Sequence, residues 1–286
     1  MIVYLDGQFV DHEHAKISVF DRGFIFGDGL YEGLRASGGR VIALGRHLDR
    51  LAAGMRECRM EGFDPGDMER VTRELLQRNH LRDAFVYWQV TRGTPTGESP
   101  VRARIPIAGQ RPTVFAYASA LPGVHEYTEP LACSASTVRD TRWLRGHVKS
   151  TSLLGNVLGT IEAIEHGADD AVFIRDGLLA EGTSTNVFVA LDGVVVTPTL
   201  ESAPMLGGVT RALLIESAPS IVQRPVTVEE LHRAEEIMLV GTISMVRSVT
   251  RLDGKPVGDG RVGPSARGLL RALVEAIERD LHSAHA

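Results

Sequence analysis

The sequence predicts an α+β fold built as two mixed domains. Several short strands stand beside a few helices, without the regular strand–helix–strand alternation of a doubly wound parallel sheet. A length of 286 residues, 43% of them hydrophobic, suits two modest cores better than one. The stretch Ser119-Ala120-Leu121-Pro122-Gly123-Val124-His125-Glu126 reads as a linker. It sets an N-terminal domain over residues 1–118, a linker over 119–126 and a C-terminal domain over 127–286.

The net charge of -5 argues against a nucleic-acid surface. No apolar run approaches membrane-spanning length, and the start of the chain has no basic region followed by an apolar one. Cys58 and Cys133 are far apart and lack metal-ligand spacing. A reduced, cytoplasmic protein without a metal site is therefore expected.

Asp6-Gly7 separates two strand-like runs, a hairpin signal. Residues 21–35 mix glycines and aromatics and read as a tight loop feeding a strand. A strand over 41–44 precedes a helix over 45–58, with Leu48, Leu51, Ala52 and Met55 on one face. Arg46, His47 and Arg50 lie near its start, where a helix N-terminus favours anions; the alternative is a solvated face. Asp64-Pro65-Gly66 opens a second helix over 67–79. Strands over 85–91 and 113–118 flank a long loop carrying Arg102 and Arg104. These arginines are either solvated or a cationic clamp for a carboxylate.

Beyond the linker, a strand over 131–136 leads to Arg142-Trp143-Leu144-Arg145-Gly146-His147-Val148-Lys149-Ser150, with Lys149 at a strand end and a helix over 152–166 after it. Short strands over 171–174, 178–179, 186–191 and 194–196 turn at Asp176-Gly177 and Asp192-Gly193. A helix over 209–217, a short helix over 229–234, a strand over 236–240 and a closing helix over 265–282 follow.

Lysines are few beside arginines, and only Lys255 follows Lys149. A lysine in a cationic or desolvated pocket loses its proton near neutral pH, whereas an arginine does not. Arg142, Arg145 and His147 would supply that field; a solvated loop lysine is the alternative. Glu181, in Glu181-Gly182-Thr183-Ser184-Thr185-Asn186, is either an exposed turn carboxylate or a buried one needing a cation, such as a protonated pyridine nitrogen. Gly207-Gly208-Val209-Thr210 opens a helix, so its free N–H groups and hydroxyl form a phosphate cradle or an ordinary cap. Schiff-base lysine, ring-nitrogen partner and phosphate cradle together match the three handles of pyridoxal 5'-phosphate.

The chain resembles the class IV, fold type IV, pyridoxal-phosphate aminotransferases. The resemblance rests on Asp21-Arg22-Gly23, Phe26-Gly27-Asp28-Gly29, Tyr31-Glu32, His47-Leu48-Asp49-Arg50-Leu51 and Val90-Thr91-Arg92-Gly93. It continues through Arg142-Trp143-Leu144-Arg145, Lys149-Ser150, Glu181 to Phe188, and Gly208-Val209-Thr210-Arg211. These motifs stand in the family's order along almost the whole chain. The resemblance implies a small N-terminal α/β domain and a larger, mixed, barrel-like C-terminal domain. It implies Lys149 as the Schiff-base lysine and Glu181 as the partner of the ring nitrogen. Arg50, Val209, Thr210 and Thr242 would hold the phosphate, with Ser184 near the cofactor.

Within the family the resemblance is nearest to the D-amino-acid aminotransferases. It implies ping-pong transfer of an amino group between a D-amino acid and a 2-oxo acid, 2-oxoglutarate or pyruvate. Tyr31 matches a residue that binds the substrate carboxylate. Arg102-Ala103-Arg104 stands where that subfamily carries an Arg-x-His trap, displaced by a short insertion and with arginine in place of histidine. Gly33 and Arg35 instead match the branched-chain enzymes' Glu-Gly-x-Arg, making Arg35 a competing anchor. By the same likeness the loop clamp serves the other subunit's site, so a homodimer is implied. A branched-chain L-amino-acid aminotransferase, an (R)-selective amine transaminase and an aminodeoxychorismate lyase are the alternatives on this fold. A non-catalytic cofactor-binding protein is the alternative of a different class.

Overall fold

The computed structural model describes residues 1–96, 102–106 and 109–283. The chain divides into two compact units. One comprises Met1–Val124 and Val148–Ser152; the other comprises His125–His147 and Leu153–Ala286. The boundary falls at Val124 and His125. The stretch read as a linker begins as strand, since Ser119 and Ala120 finish Thr113–Ala120, and ends in a 3-10 turn over Val124–Glu126.

The first unit holds β1 (Ile2–Leu5), β2 (Gln8–Asp11), α1 (Arg22–Phe26), β3 (Gly29–Ser37), β4 (Arg40–Val41), α2 (Leu44–Glu57), α3 (Asp67–Arg78), β5 (Ala84–Thr91) and β6 (Thr113–Ala120). Its six strands form an antiparallel sheet in the order β2-β1-β6-β5-β3-β4. Asp6 and Gly7 both take positive φ, 47° and 94°, which closes the β1–β2 hairpin. Alternation along β5 buries Ala84, Val86, Trp88 and Val90 on one face. Leu51 and Met55 of α2 and Met68, Val71 and Leu75 of α3 join the same core. The indole N–H of Trp88 donates to Thr72 Oγ1 at 2.8 Å, so this buried polar group keeps its partner.

The second unit holds β7 (Leu131–Arg139), α4 (Leu154–Glu165), β8 (Asp170–Arg175), β9 (Leu178–Gly182), β10 (Asn186–Leu191), β11 (Val194–Thr197), α5 (Val209–Ser217), β12 (Val222–Gln223), α6 (Val228–His232), β13 (Glu236–Gly241), β14 (Met245–Leu252), β15 (Lys255–Pro256) and α7 (Pro264–Ser283). Its nine-stranded mixed sheet runs β12-β11-β10-β13-β14-β7-β8-β9, with β15 paired to β14. The β9 and β10 strands are joined by a three-residue turn, yet stand five steps apart along that path. The sheet must therefore curl, bringing β9 back beside β10, and the Gly182 N–H donates to the Thr185 carbonyl at 2.8 Å. The unit is thus barrel-like. Among the described residues no helix is long and apolar enough to cross a membrane.

Several local expectations are corrected. Residues 22–26 are not loop but a one-turn helix. The Asp21 side chain accepts the Gly23 N–H at 2.7 Å, and Gly27 ends the helix at φ 65°. Lys149 does not end a strand. It follows a turn, and only its neighbour Ser150 makes an isolated bridge, to Leu30. The central strand β14 is absent from the sequence reading. Its buried residues do not alternate cleanly, and its register with β7 shifts between Val249 and Arg251, a bulge that breaks the period-two signal.

Candidate active site

Residues 148–152 extend the first unit beside β3. The Tyr31 N–H donates to the Lys149 carbonyl at 3.1 Å, and the Thr151 N–H donates to the Gly29 carbonyl at 3.0 Å. These bonds fix the backbone from the Lys149 carbonyl onward against β3. Its ammonium lies 4.1 Å from the centroid of the Tyr31 ring, within cation–π range. Tyr31 in turn stacks on Tyr87 at 5.6 Å.

Next along β3, on its other face, Glu32 is fully buried. Arg50 grips it with two bonds, Nε to Oε1 and Nη2 to Oε2, both 2.7 Å. His47 Nδ1 stands 2.7 Å from Oε2. Burial alone would raise the Glu32 pKa. The bonds from Arg50 and His47 outweigh it and bring the carboxyl down to about 2. Burial pushes the His47 pKa down despite the pull of Glu32. A neutral His47 donating its Nδ1 proton fits both directions. Arg50 lies beyond the first turn of α2, so its setting comes from Glu32 rather than from the helix N-terminus. The sequence alone does not join Glu32 to these two residues; its one signal is that His47 and Arg50 stand three apart, on one face of a helix.

The other three substrate candidates differ in setting. Arg35 is 3% exposed, and its Nη1 donates to the Pro122 carbonyl at 2.9 Å. Arg102 and Arg104 are exposed.

In the second unit Glu181 is 7% exposed. Arg142 Nη1 donates to its Oε1 at 2.7 Å, and the Leu206 N–H donates to its Oε2 at 3.1 Å. Arg142 also bonds Asp140, Nε to Oδ1 at 2.9 Å, and Arg175 Nη2 sits 3.1 Å from that same oxygen. Burial opposes the Arg142 charge, and its contacts with Asp140 and Glu181 raise its pKa regardless. Burial likewise works against the Asp140 carboxylate, and Arg142 and Arg175 hold its pKa below the usual range. This corrects one expectation: Arg142 is no uncompensated field source, because two carboxylates neutralise it. Asp140, two residues before Arg142, is the partner the sequence reading missed.

The Glu181 strand leads directly to the remaining candidates. Ser184 is exposed in the β9–β10 turn, and a Cβ on Gly241 would lie 3.4 Å from its carbonyl, beside Thr242 in the turn after β13. Asn186 Nδ2 donates to the Leu206 carbonyl at 2.9 Å. Its Oδ1 would lie 2.0 Å from a Cβ on Gly208, so only glycine fits there. That contact sets Val209 and Thr210 at the start of α5, where no side chain caps the helix. Among the described residues none hydrogen-bonds the Thr210 hydroxyl, and Thr210 as a residue is 9% exposed. The structure thus gathers Glu181, Ser184, Val209, Thr210 and Thr242 in the second unit, and Tyr31, Arg50 and Lys149 in the first.

Against known proteins, a family model described as amino-transferase class IV matches residues 29–252. The D-alanine aminotransferase of Staphylococcus haemolyticus is 34% identical, with 96% of this chain and 98% of that protein covered. The D-alanine aminotransferase of Bacillus licheniformis is also 34% identical, covering 97% of each chain. A solved T.th. branched-chain amino acid aminotransferase, complexed with N-(5'-phosphopyridoxyl)-L-glutamate, superimposes with a TM-score of 0.84 at 25% identity. It covers 97% of this chain and 94% of that one. The chain belongs to the class IV aminotransferases and has their fold type IV architecture. It is a pyridoxal-phosphate-dependent aminotransferase.

The residues present fit that cofactor. The uncapped start of α5, with its unbonded Thr210 hydroxyl, offers donors to a phosphate dianion. Glu181 is a buried carboxylate whose two oxygens accept from Arg142 and the Leu206 N–H, and a carboxylate is the acceptor type that suits a protonated ring nitrogen.

Proposed function

We propose that the chain transfers amino groups between D-amino acids of the D-alanine or D-glutamate type and 2-oxo acids, with Lys149 as its catalytic residue. The observation that carries the D-amino-acid reading is the contrast between the arginines. Arg35, the branched-chain-type anchor, is buried and spends a guanidinium bond on the Pro122 carbonyl, whereas Arg102 and Arg104 are exposed on the loop. The D-alanine aminotransferases at 34% identity support the same reading. A branched-chain L-amino-acid reading is second, favoured by the Glu32-Gly33-Leu34-Arg35 run and the 25%-identical structure.

When bound, pyridoxal phosphate supplies an aldehyde carbon and an electron-withdrawing ring. Lys149 would hold that aldehyde through its amine, and, once displaced by the amine of the substrate, it would move the proton of the substrate α-carbon as acid and base. Glu181, paired with Arg142, would stand as the acceptor for the proton at the ring nitrogen. Arg50, Val209, Thr210 and Thr242 would hold the phosphate, with Ser184 near the cofactor, and Glu32 keeps Arg50 in one geometry. Arg102, Arg104 and Tyr31 hold the substrate carboxylate. Two half-reactions share one site, so the kinetics are ping-pong.

Thr210→Ala and Arg50→Ala are each expected to lose cofactor on dialysis several-fold faster than wild type, because each removes a donor to a dianion. Unchanged retention in both variants would move the phosphate elsewhere.

The outer face of α4 supports the homodimer reading. Leu154, Val157, Leu158, Ile161 and Ile164 form one exposed apolar stripe, Leu154 being 70% exposed. Gly159 and Ala163 line the opposite, buried side, and a second copy is the natural cover for the stripe. A cytoplasmic location fits two cysteines that form no disulfide.

The test is a set of half-reactions followed by absorbance, on protein whose sedimentation mass is twice that of one chain. D-Alanine and D-glutamate are expected to convert the cofactor faster than L-leucine. Faster conversion by L-leucine than by every D-amino acid would replace the D reading with the branched-chain one.

A further inference from the structure

We propose that Arg22 is the positioning residue of the substrate-carboxylate clamp: buried away from the substrate, it fixes the segment that presents Arg102 and Arg104. The inference rests on the reading of those two arginines as the clamp.

Arg22 opens α1 and is 4% exposed. Burying a guanidinium is costly unless its donors are spent. Here Nε donates to Asp28 Oδ2 at 2.8 Å, Nη1 to the Ala103 carbonyl at 2.5 Å and Nη2 to the Arg104 carbonyl at 3.1 Å. Asp28 neutralises the charge. Burial works against its carboxylate, and bonds from Arg92 and Arg22 hold its pKa below the usual range. The two nitrogens of one planar fork thus catch successive carbonyls, which sets the orientation of the peptide joining Ala103 to Arg104. The first residue of the tripeptide is tied to the same point. The Arg22 guanidinium lies 4.9 Å from the Phe26 ring centroid, and the Arg102 guanidinium lies 5.7 Å from that ring.

The preceding residue does the matching work at the loop's base. Asp21 Oδ2 accepts the hydroxyls of Thr91 at 2.9 Å and Thr113 at 2.7 Å, at the ends of the two strands the loop connects. Asp21 therefore holds the base and Arg22 the segment that carries the two arginines. A segment held in this way loses less freedom when its arginines take up a carboxylate, and affinity rises accordingly. Lysine at position 22 could not reproduce this, since an ammonium lacks the flat fork.

The experiment compares Arg22→Met and Arg22→Lys, each alone and combined with the pair Arg102→Ala and Arg104→Ala, in holoenzyme with measured cofactor content. Arg22→Met is expected to raise KM for D-alanine by about tenfold or more, with a smaller change in kcat, as for loss of substrate binding. Arg22→Lys should fall between it and wild type. In the loop double variant, Arg22→Met should add little, because the residue acts through those arginines. A KM within about twofold of wild type for Arg22→Met, or effects that multiply in the combination, would overturn the inference while leaving the clamp intact. An unchanged KM in the loop double variant would instead remove the clamp reading itself. If Arg22→Met is recovered without cofactor, Arg22→Lys carries the same comparison: a raised KM that vanishes as a separate effect in the loop background supports the inference, and an additive one refutes it.

Discussion

Lys149→Ala is expected to lower transamination by about four orders of magnitude or more, since proton transfer by a positioned side chain alone contributes roughly 10²–10⁴-fold. The substitution also removes the amine that binds the cofactor covalently, so the two losses compound. Backbone bonds with Tyr31 and Gly29 hold the chain from the Lys149 carbonyl onward, and the Lys149 ammonium rests against the Tyr31 ring. The variant should fold, because the local member of the core is Val148 rather than Lys149. Cofactor bound to it should come away on dialysis. Turnover within about tenfold of wild type, below the usual contribution of a catalytic acid–base group, would dismiss Lys149 as the catalytic residue.

Glu181→Gln is expected to keep cofactor yet lose most of its turnover. A neutral amide cannot hold the proton at the ring nitrogen, and one lost charge-assisted hydrogen bond costs on the order of 1.5–3 kcal/mol, or roughly ten- to a hundredfold. The neighbourhood makes the swap informative. Arg142 and the Leu206 N–H donate to different oxygens of Glu181, so the introduced amide oxygen would keep one of them while its NH2 faces the other, and Asp140 would still neutralise Arg142. Cofactor content and melting temperature are therefore measured beside the rate, and a fall in half-reaction rate with both unchanged reports the missing charge. Half-reaction rates close to wild type would show that another group serves the ring nitrogen.

Much of this site was legible because its chemistry lies in residue types with few other uses. A lysine among arginines, a carboxylate leading into small hydroxyl residues and a double glycine before a helix each carry a physical reason for their place. Asp-Gly turns were equally readable: Asp176-Gly177 and Asp192-Gly193 take the positive φ pairs expected of tight hairpins. A fourth such pair, Asp253-Gly254 at φ 50° and 74°, marks the end of β14. Its strand was hidden because a bulge near Val249 breaks the alternation on which strand recognition depends.

What the sequence hid was pairing across distance. Glu32 with Arg50, Asp140 with Arg175, and Arg22 with the Ala103 and Arg104 carbonyls are separated by 18, 35, and 81 and 82 positions. No local period connects such partners; the β7–β8 pairing joins Asp140 to Arg175, and the packing of α2 and of α1 joins the others. The Arg142 error has the same origin. Read alone it was a source of positive field, and read with Asp140 and Glu181 it is a compensated charge that orients one carboxylate.

Reduction of the native holoenzyme with borohydride, followed by peptide mapping, tests the central claim most directly. Borohydride converts a lysine–aldehyde linkage into a stable secondary amine, so the site of attachment can be read from a peptide mass. The account predicts the phosphopyridoxyl group on Lys149 and on neither Lys16 nor Lys255. A group fixed to another lysine, or none fixed in protein that holds its full complement of cofactor, would contradict it.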